Sequence, residues 1–278
     1  MTPLRSGSYP RPLDLTGDRN DTTIRNPSII TADLTGSVAL VTGGNSGIGR
    51  ATAARLAANG AHVIVTGRDT TRGDQAVERI RSAGGKADFV AASLSGEASA
   101  RELARKAVEL GGGHIDILVN NAGIFPFGPT ASHTEADFDG VYGVNVKVPF
   151  FLVAELAPAM AARGKGSIIN VTTMVAQFGQ PGMALYGSSK AALVLLTKAW
   201  AAEYGPSGVR VNAVSPGPTR TEGTAPMGQA LDQLAATTPH GKPGLPDDIA
   251  AAITYLATDD AAYVHGAILP VDGGRTAV

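Results

Sequence analysis

The sequence predicts an α/β fold: a single doubly wound domain on a seven-stranded parallel sheet with helices on both faces. Three observations predict it. From Val38 onward, short apolar runs rich in β-branched residues alternate with longer stretches of helical periodicity, the pattern of parallel strands covered by helices. A glycine-rich turn, Thr42-Gly43-Gly44-Asn45-Ser46-Gly47-Ile48-Gly49, follows the first run and opens a helix. The chain is 278 residues long, with 44% hydrophobic and 17% charged residues, enough to bury the core of one large domain.

The expected strands are Val38–Thr42, His62–Thr66, Ala87–Ala91, Ile115–Asn120, Gly166–Thr172, Val209–Ser215 and Ala267–Val271. Right-handed crossovers between them place the carboxyl ends of the strands, and any ligand, on one edge. Residues 1–33 are rich in Pro, Gly, Arg and Asp without periodicity. They read as an arm, flexible or draped on a neighbouring subunit, with the domain occupying 34–278. The segment 219–243 breaks the rhythm with Gly223, Pro226, Gly228, Pro239, Gly241 and Pro243 around a short helical piece, Met227–Ala236. It reads as a lid.

The glycines have separate tasks. Gly43 permits the tight turn, Gly47 lets backbone approach a pyrophosphate, and Gly49 lets the helix pack on the strand. Asn45, Ser46 and Ile48 complete the turn, and the first N–H groups of the helix suit phosphate oxygens. Downstream, Tyr186 and Lys190 stand four apart in a segment whose Leu193, Leu196, Trp200 and Tyr204 recur at helical spacing. They project from one face. An ammonium about 4 Å from a phenol, at an effective dielectric of about 20, contributes about 4 kcal/mol, or about three pKa units, toward phenolate. Such a tyrosine is a candidate general acid/base beside a hydride carrier.

With these residues in place, the chain resembles the short-chain dehydrogenase/reductase family from about Leu34 to its end. Its Asn120-Asn121-Ala122-Gly123 is similar to the segment ending that family's fourth strand, and Asn145 matches the asparagine that holds a water in its proton relay. Tyr186 and Lys190 match the catalytic pair. Pro216-Gly217 with Thr219 and Thr221 is similar to the segment that grips the nicotinamide carboxamide, and Val271-Asp272-Gly273-Gly274 to the end of the last strand. The resemblance implies a Rossmann-type domain, a nicotinamide cofactor and a homotetramer. Two positions depart from the pattern. A serine is usual thirteen residues before the tyrosine, where this chain has Thr173, preceded by Thr172. An aspartate is usual after the third strand, where this chain has Ser93 followed by Leu94.

The second strand ends in Gly67-Arg68-Asp69. An acid at the first of these positions would accept the ribose hydroxyls and repel a 2′-phosphate. Gly67 leaves that place empty and Arg68 offers a guanidinium to a phosphate, so NADP(H) is expected in preference to NAD(H), with NAD(H) left open. Asp69 reads as the N-cap of a helix beginning near Thr70.

Phe125, Phe127, Met174, Phe178 and Met183 are expected to wall the substrate, and no arginine is seen among them to anchor a carboxylate. The function expected is interconversion of a small-molecule ketone or aldehyde with an alcohol. A 3-oxoacyl thioester on a carrier protein is the narrower alternative, for which Arg163 and Lys165 would be rim contacts. A non-catalytic dinucleotide-binding protein is the alternative from another class. A net charge of −1 gives no reason to expect nucleic acid. The absence of cysteine excludes disulfides and thiolate chemistry and fits the cytoplasm. The five histidines form no ligating pattern, so no metal is expected. No run approaches the ~20 apolar residues of a membrane span, and the N-terminus lacks the features of a signal or transit peptide.

Overall fold

The computed structural model describes residues 33–278. The expected arm lies outside the described residues, apart from Asp33. Seven strands form one sheet: β1 (Val38–Val41), β2 (His62–Gly67), β3 (Lys86–Ala91), β4 (Ile117–Asn120), β5 (Gly166–Val171), β6 (Val209–Pro216) and β7 (Ile268–Val271). All neighbours pair in parallel, in the order β3-β2-β1-β4-β5-β6-β7. The strand positions agree with those expected to within two residues at each end. The largest difference is at β4, which starts at Ile117 because Asp116 is taken up in joining β1: its carboxylate accepts the Val38 N–H at 2.9 Å.

The helices are α1 (Gly47–Ala58), α2 (Thr70–Ser82), α3 (Glu97–Leu110), α4 (Glu135–Tyr142), α5 (Val148–Ala162), α6 (Ala184–Tyr204), α7 (Gln229–Ala235) and α8 (Pro246–Ala257). Asp69 caps α2 as expected, accepting the Arg72 N–H. Alternation along the strands separates two cores. Ala39, Val41, Val119 and Ile169 pack with Leu56, Ile80 and Ile253 of α1, α2 and α8. Leu40, Leu118 and Ile168 pack with Leu103, Leu152 and Leu193 of α3, α5 and α6.

Between α4 and α5 the helix continues as a π-helical turn, Gly143–Lys147. The whole helical run Glu135–Ala162 is long and apolar enough to cross a membrane by length and composition, which corrects the expectation that no such run exists. Its inner face is that of a core helix, with Leu152, Val153, Leu156 and Met160 buried against the sheet. Other apolar side chains on this layer face outward: Leu195 is 69% exposed and Phe150 43%.

The order of the strands reverses between β1 and β4. There the connections leave toward opposite faces and open a crevice at the carboxyl ends of the strands. A buried polar chain crosses the sheet beside it. Asn120 donates to Asn170 at 2.9 Å, Asn170 to Thr197 of α6 at 2.8 Å, and Thr197 to the Leu193 carbonyl at 2.8 Å. An Asn170→Val substitution removes the bridging amide and strands the Asn120 amide. It should cost about 2 kcal/mol or more, read as a lowered midpoint of denaturant unfolding with an unchanged slope.

Candidate active site

The glycine turn is held shut from β4. The Thr42 hydroxyl accepts the N–H groups of Asn121 at 2.9 Å and Ala122 at 3.0 Å and donates to the Val119 carbonyl. In return the Asn121 amide donates to the carbonyls of Thr42 at 2.8 Å and Gly43 at 3.2 Å. Gly49 lies so close beneath the turn that a Cβ there would overlap the Gly43 carbonyl and the Asn121 amide. Gly43 itself has φ of +63°, a conformation that glycine adopts without strain. Ser46 is the N-cap of α1 and makes no capping bond with its side chain.

Asn145 is buried in the π-helical turn and does not border the cavity itself; it lies behind the loop that follows β4. Its Oδ1 accepts the Ile124 N–H at 2.9 Å, and its amide donates to the Ile124 carbonyl at 2.9 Å and to Ser189 of α6 at 3.0 Å. Ser189 in turn donates to the Tyr186 carbonyl at 2.7 Å. Tyr186 and Lys190 share one face of α6, beside the end of β5. The Lys190 ammonium is buried and donates to the Val171 carbonyl at 2.8 Å. Gly123 fits between the two networks: a Cβ there would stand 3.3 Å from both Asn145 Oδ1 and Lys190 Nζ.

The electrostatics of the pair differ from the expectation. Burial pushes the Tyr186 phenol up to about 12, and the neighbouring Thr173 hydroxyl acts in the other direction without reversing it. Burial also lowers Lys190 to about 8. Both groups sit in the same desolvated space, which penalises either charge. Desolvation is thus the dominant cause at both groups, and it favours a neutral phenol. Of the two threonines, Thr172 donates its hydroxyl to the Val214 carbonyl at 3.0 Å. Thr173 borders the cavity instead, with its hydroxyl beside the Tyr186 phenol.

A cavity of about 550 Å³ joins these parts. Gly43, Asn45, Ser46, Gly47 and Ile48 border it in the middle, with Arg68, Ser93 and Leu94 at one end. Asn121, Ala122 and Gly123, then Pro216, Gly217, Thr219 and Thr221, flank Tyr186, Lys190 and Thr173. Phe125, Met174 and Met183 supply apolar wall, with the Phe125 ring centroid 6.0 Å from that of Tyr186. Two expected wall residues are absent. Phe127 is 71% exposed and lies against Gly182, and Phe178 packs under the Arg275 guanidinium, 5.0 Å from its ring centroid. Arg163 and Lys165 are not at the rim either. They precede β5 and so lie at the amino ends of the strands, where Arg163 donates to the Ile115 carbonyl at 2.7 Å.

Arg68 is exposed, borders the cavity and has no ion pair among the described residues, whereas Arg72 pairs with Asp69 at 2.8 Å. Gly67 is required by its neighbour: a Cβ there would overlap the side-chain amide of Asn45. The segment 219–243, expected to be a lid, has pinned ends. Arg220 donates its N–H to the Gly244 carbonyl at 2.9 Å, and Gly244 donates to Pro218 at 2.9 Å. Its helix is α7, shorter than expected because Gly228 takes a positive φ at its start. The same segment contributes Glu222, for which the sequence carries no signal. Glu222 Oε2 accepts the Gly47 N–H at 2.9 Å, and its other oxygen lies 2.7 Å from Arg50.

The residues present fit a dinucleotide. Helix N–H groups suit a pyrophosphate, a free guanidinium stands at one end of the cavity, and a proton-transfer pair stands at the other. Because burial keeps the phenol neutral, a spectroscopic pH titration should show no tyrosinate from Tyr186 at pH 10. The ionisation curves of the wild type and Tyr186→Phe should therefore coincide up to that pH, where an ordinary tyrosine is about half ionised.

Comparisons with known proteins agree with this geometry. A family profile described as Enoyl-(Acyl carrier protein) reductase matches residues 43–276. The 3-oxoacyl-[acyl-carrier-protein] reductase of Thermotoga maritima is 37% identical over 246 residues, 87% of this chain and 98% of the relative. A solved structure of a short chain dehydrogenase/reductase family protein is 48% identical with a TM-score of 0.80, covering 88% of this chain and 100% of that one. A blue fluorescent protein from a metagenomic library, solved in complex with NADPH, is 36% identical with a TM-score of 0.83, covering 87% and 99%. With the parallel sheet, the glycine turn and the tyrosine–lysine helix in these places, the chain belongs to the short-chain dehydrogenase/reductase family of oxidoreductases.

Proposed function

We propose that the protein is an NADP(H)-dependent oxidoreductase that interconverts a ketone or aldehyde with an alcohol, using Tyr186 as general acid/base. The observation that carries this reading is the meeting of Tyr186, Lys190 and Thr173 at one end of a cavity whose other end holds Arg68, which has no ion pair among the described residues. A bound nicotinamide would supply or accept the hydride. In reduction, the neutral phenol of Tyr186 donates its proton to the carbonyl oxygen. Its raised pKa suits that direction at rest, because the acid is fully protonated at neutral pH. Lys190, with a pKa of about 8, is mostly an ammonium at neutral pH and stabilises the phenolate that forms. Thr173 orients the substrate oxygen. Both amide hydrogens of Asn145 are engaged, so a relay water would use the remaining acceptor capacity of Oδ1. Reductase assays with NADPH on a panel of ketones, aldehydes and 3-oxoacyl thioesters test the reading. Turnover on none of them, together with tight NADPH binding, would favour the non-catalytic alternative. The position of Arg163 and Lys165 on the opposite edge removes the contacts suggested for a carrier protein.

Cofactor preference rests on Arg68 and on the Asn45–Gly67 contact. NADPH should exceed NADH in kcat/KM, and Arg68→Ala should act mainly by raising the KM for NADPH. Gly67→Asp alone should fail to create a preference for NADH, because Asn45 fills the space the new side chain needs. Gly67→Asp combined with Asn45→Gly should create it. Steady-state kinetics of the four proteins with both cofactors check this.

Thr173→Ala should lower kcat by ~10²–10³ with little change in NADPH affinity, the usual loss on removing one positioned donor. Thr173→Ser should retain most activity, and Tyr186→Phe should fall below either. Near-wild-type turnover in Thr173→Ala would reduce that residue to a strand-end filler.

The outward apolar surface of α5 and α6, which includes Leu195 and Phe150, supports a homotetramer. Light scattering should give about four times the chain mass of 28.2 kDa. A monomer at dilution would refute the assembly.

A further inference from the structure

Glu222 is an acidic side chain placed where an anionic ligand would bind. Its carboxylate accepts the N–H of Gly47, the first residue of α1, and pairs with Arg50 one turn along at 2.7 Å. The neighbouring Thr221 is packed on the same glycine: a Cβ at Gly47 would stand 3.2 Å from Thr221 Cβ and Cγ2. The lid is therefore attached to the glycine turn at this point, as well as at its pinned ends. The contact joins residues 175 apart in sequence. The first N–H groups of a helix have no partner within it and carry the positive end of its dipole. A carboxylate satisfies one of them here as a phosphate oxygen would.

We propose that Glu222 is a built-in competitor for the cofactor's pyrophosphate, so that nucleotide entry displaces it and frees the lid, and nucleotide departure lets it latch again. The proposal rests on the dinucleotide reading of the cavity. The reasoning is one of like charge. The pyrophosphate and the carboxylate seek the same helix-terminal N–H, that of Gly47 on the cavity wall, and two anions cannot share it without repulsion. The free energy that the lid contact contributes to the unliganded protein is thus subtracted from cofactor affinity. By linkage, the cofactor weakens the lid contact by the same factor.

The test compares wild type with Glu222→Gln, which keeps size and removes charge. Equilibrium titration followed by fluorescence should show NADPH bound about tenfold more tightly by Glu222→Gln, within the range usual for coupled sites. Adenosine 2′-monophosphate carries the 2′-phosphate but no pyrophosphate, and its affinity should change by less than about twofold. Hydrogen–deuterium exchange of residues 219–228 in the unliganded proteins should be faster in Glu222→Gln. Equal or weaker NADPH binding by Glu222→Gln, or an equal gain for both nucleotides, overturns the latch while leaving the cofactor reading intact. A wild-type protein that binds neither nucleotide overturns the cofactor reading and the latch with it.

Discussion

The cross-strand stitch between Thr42 and Asn121 is the constraint on which the site depends. β1 and β4 are neighbours in the sheet, yet the chain leaves them toward opposite faces. Sheet hydrogen bonds end where the strands end, and beyond that point the backbone would be free to splay. One threonine hydroxyl and one asparagine amide continue the pairing past the last ladder bond with five hydrogen bonds. They fix the glycine turn against the start of the following loop. The orientation of the first turn of α1 and the path of Asn121 to Gly123 follow from this, and with them the width of the crevice.

The second support comes from the helical layer on one face. The π-helical turn places a single asparagine where it grips both edges of the Ile124 peptide and, through Ser189, the start of α6. Tyr186 is thus held by its own backbone rather than by its side chain. Its phenol is left with few partners, which is why its burial raises the pKa so far. Lys190 is tied instead to the end of β5. The placement of Tyr186 and Lys190 therefore depends on the relative position of α6, β5 and the loop after β4, all of which are anchored by buried polar groups.

Much of this was legible in the sequence. The strands were legible because a parallel sheet buried on both faces requires continuous apolar runs such as Val63, Ile64 and Val65. The glycine turn and the Tyr186–Lys190 spacing were legible because their tasks depend on residue type at short separation. What was not legible depends on long-range placement. The contact of Glu222 with Gly47 joins residues far apart in sequence. Phe178 was assigned to the substrate wall by position, but Arg275 near the C-terminus covers it. Arg163 and Lys165 were placed on the wrong edge because a short loop before a strand gives no sign of which end of the sheet it serves. The resting charge of Tyr186 was not legible because the desolvation of its phenol depends on how distant segments pack around it.

The pinned ends of the lid have a further consequence. Pro218 and Arg220 are bonded to Gly244, so the segment between them is a closed loop whose length the sheet does not feel. Doubling a flexible loop between fixed ends costs only about 0.6 kcal/mol of closure entropy. Residues can be inserted or removed between its inner anchors (Glu222 on Gly47, the buried Leu231 and Ala235 of α7, and His240 on the Gly273 carbonyl) with little penalty to the domain, whereas a one-residue slip in β6 would reverse every buried side chain on it. The fold thus confines its tolerance for change to a segment that borders the cavity, whose wall can vary there without altering the strands beneath.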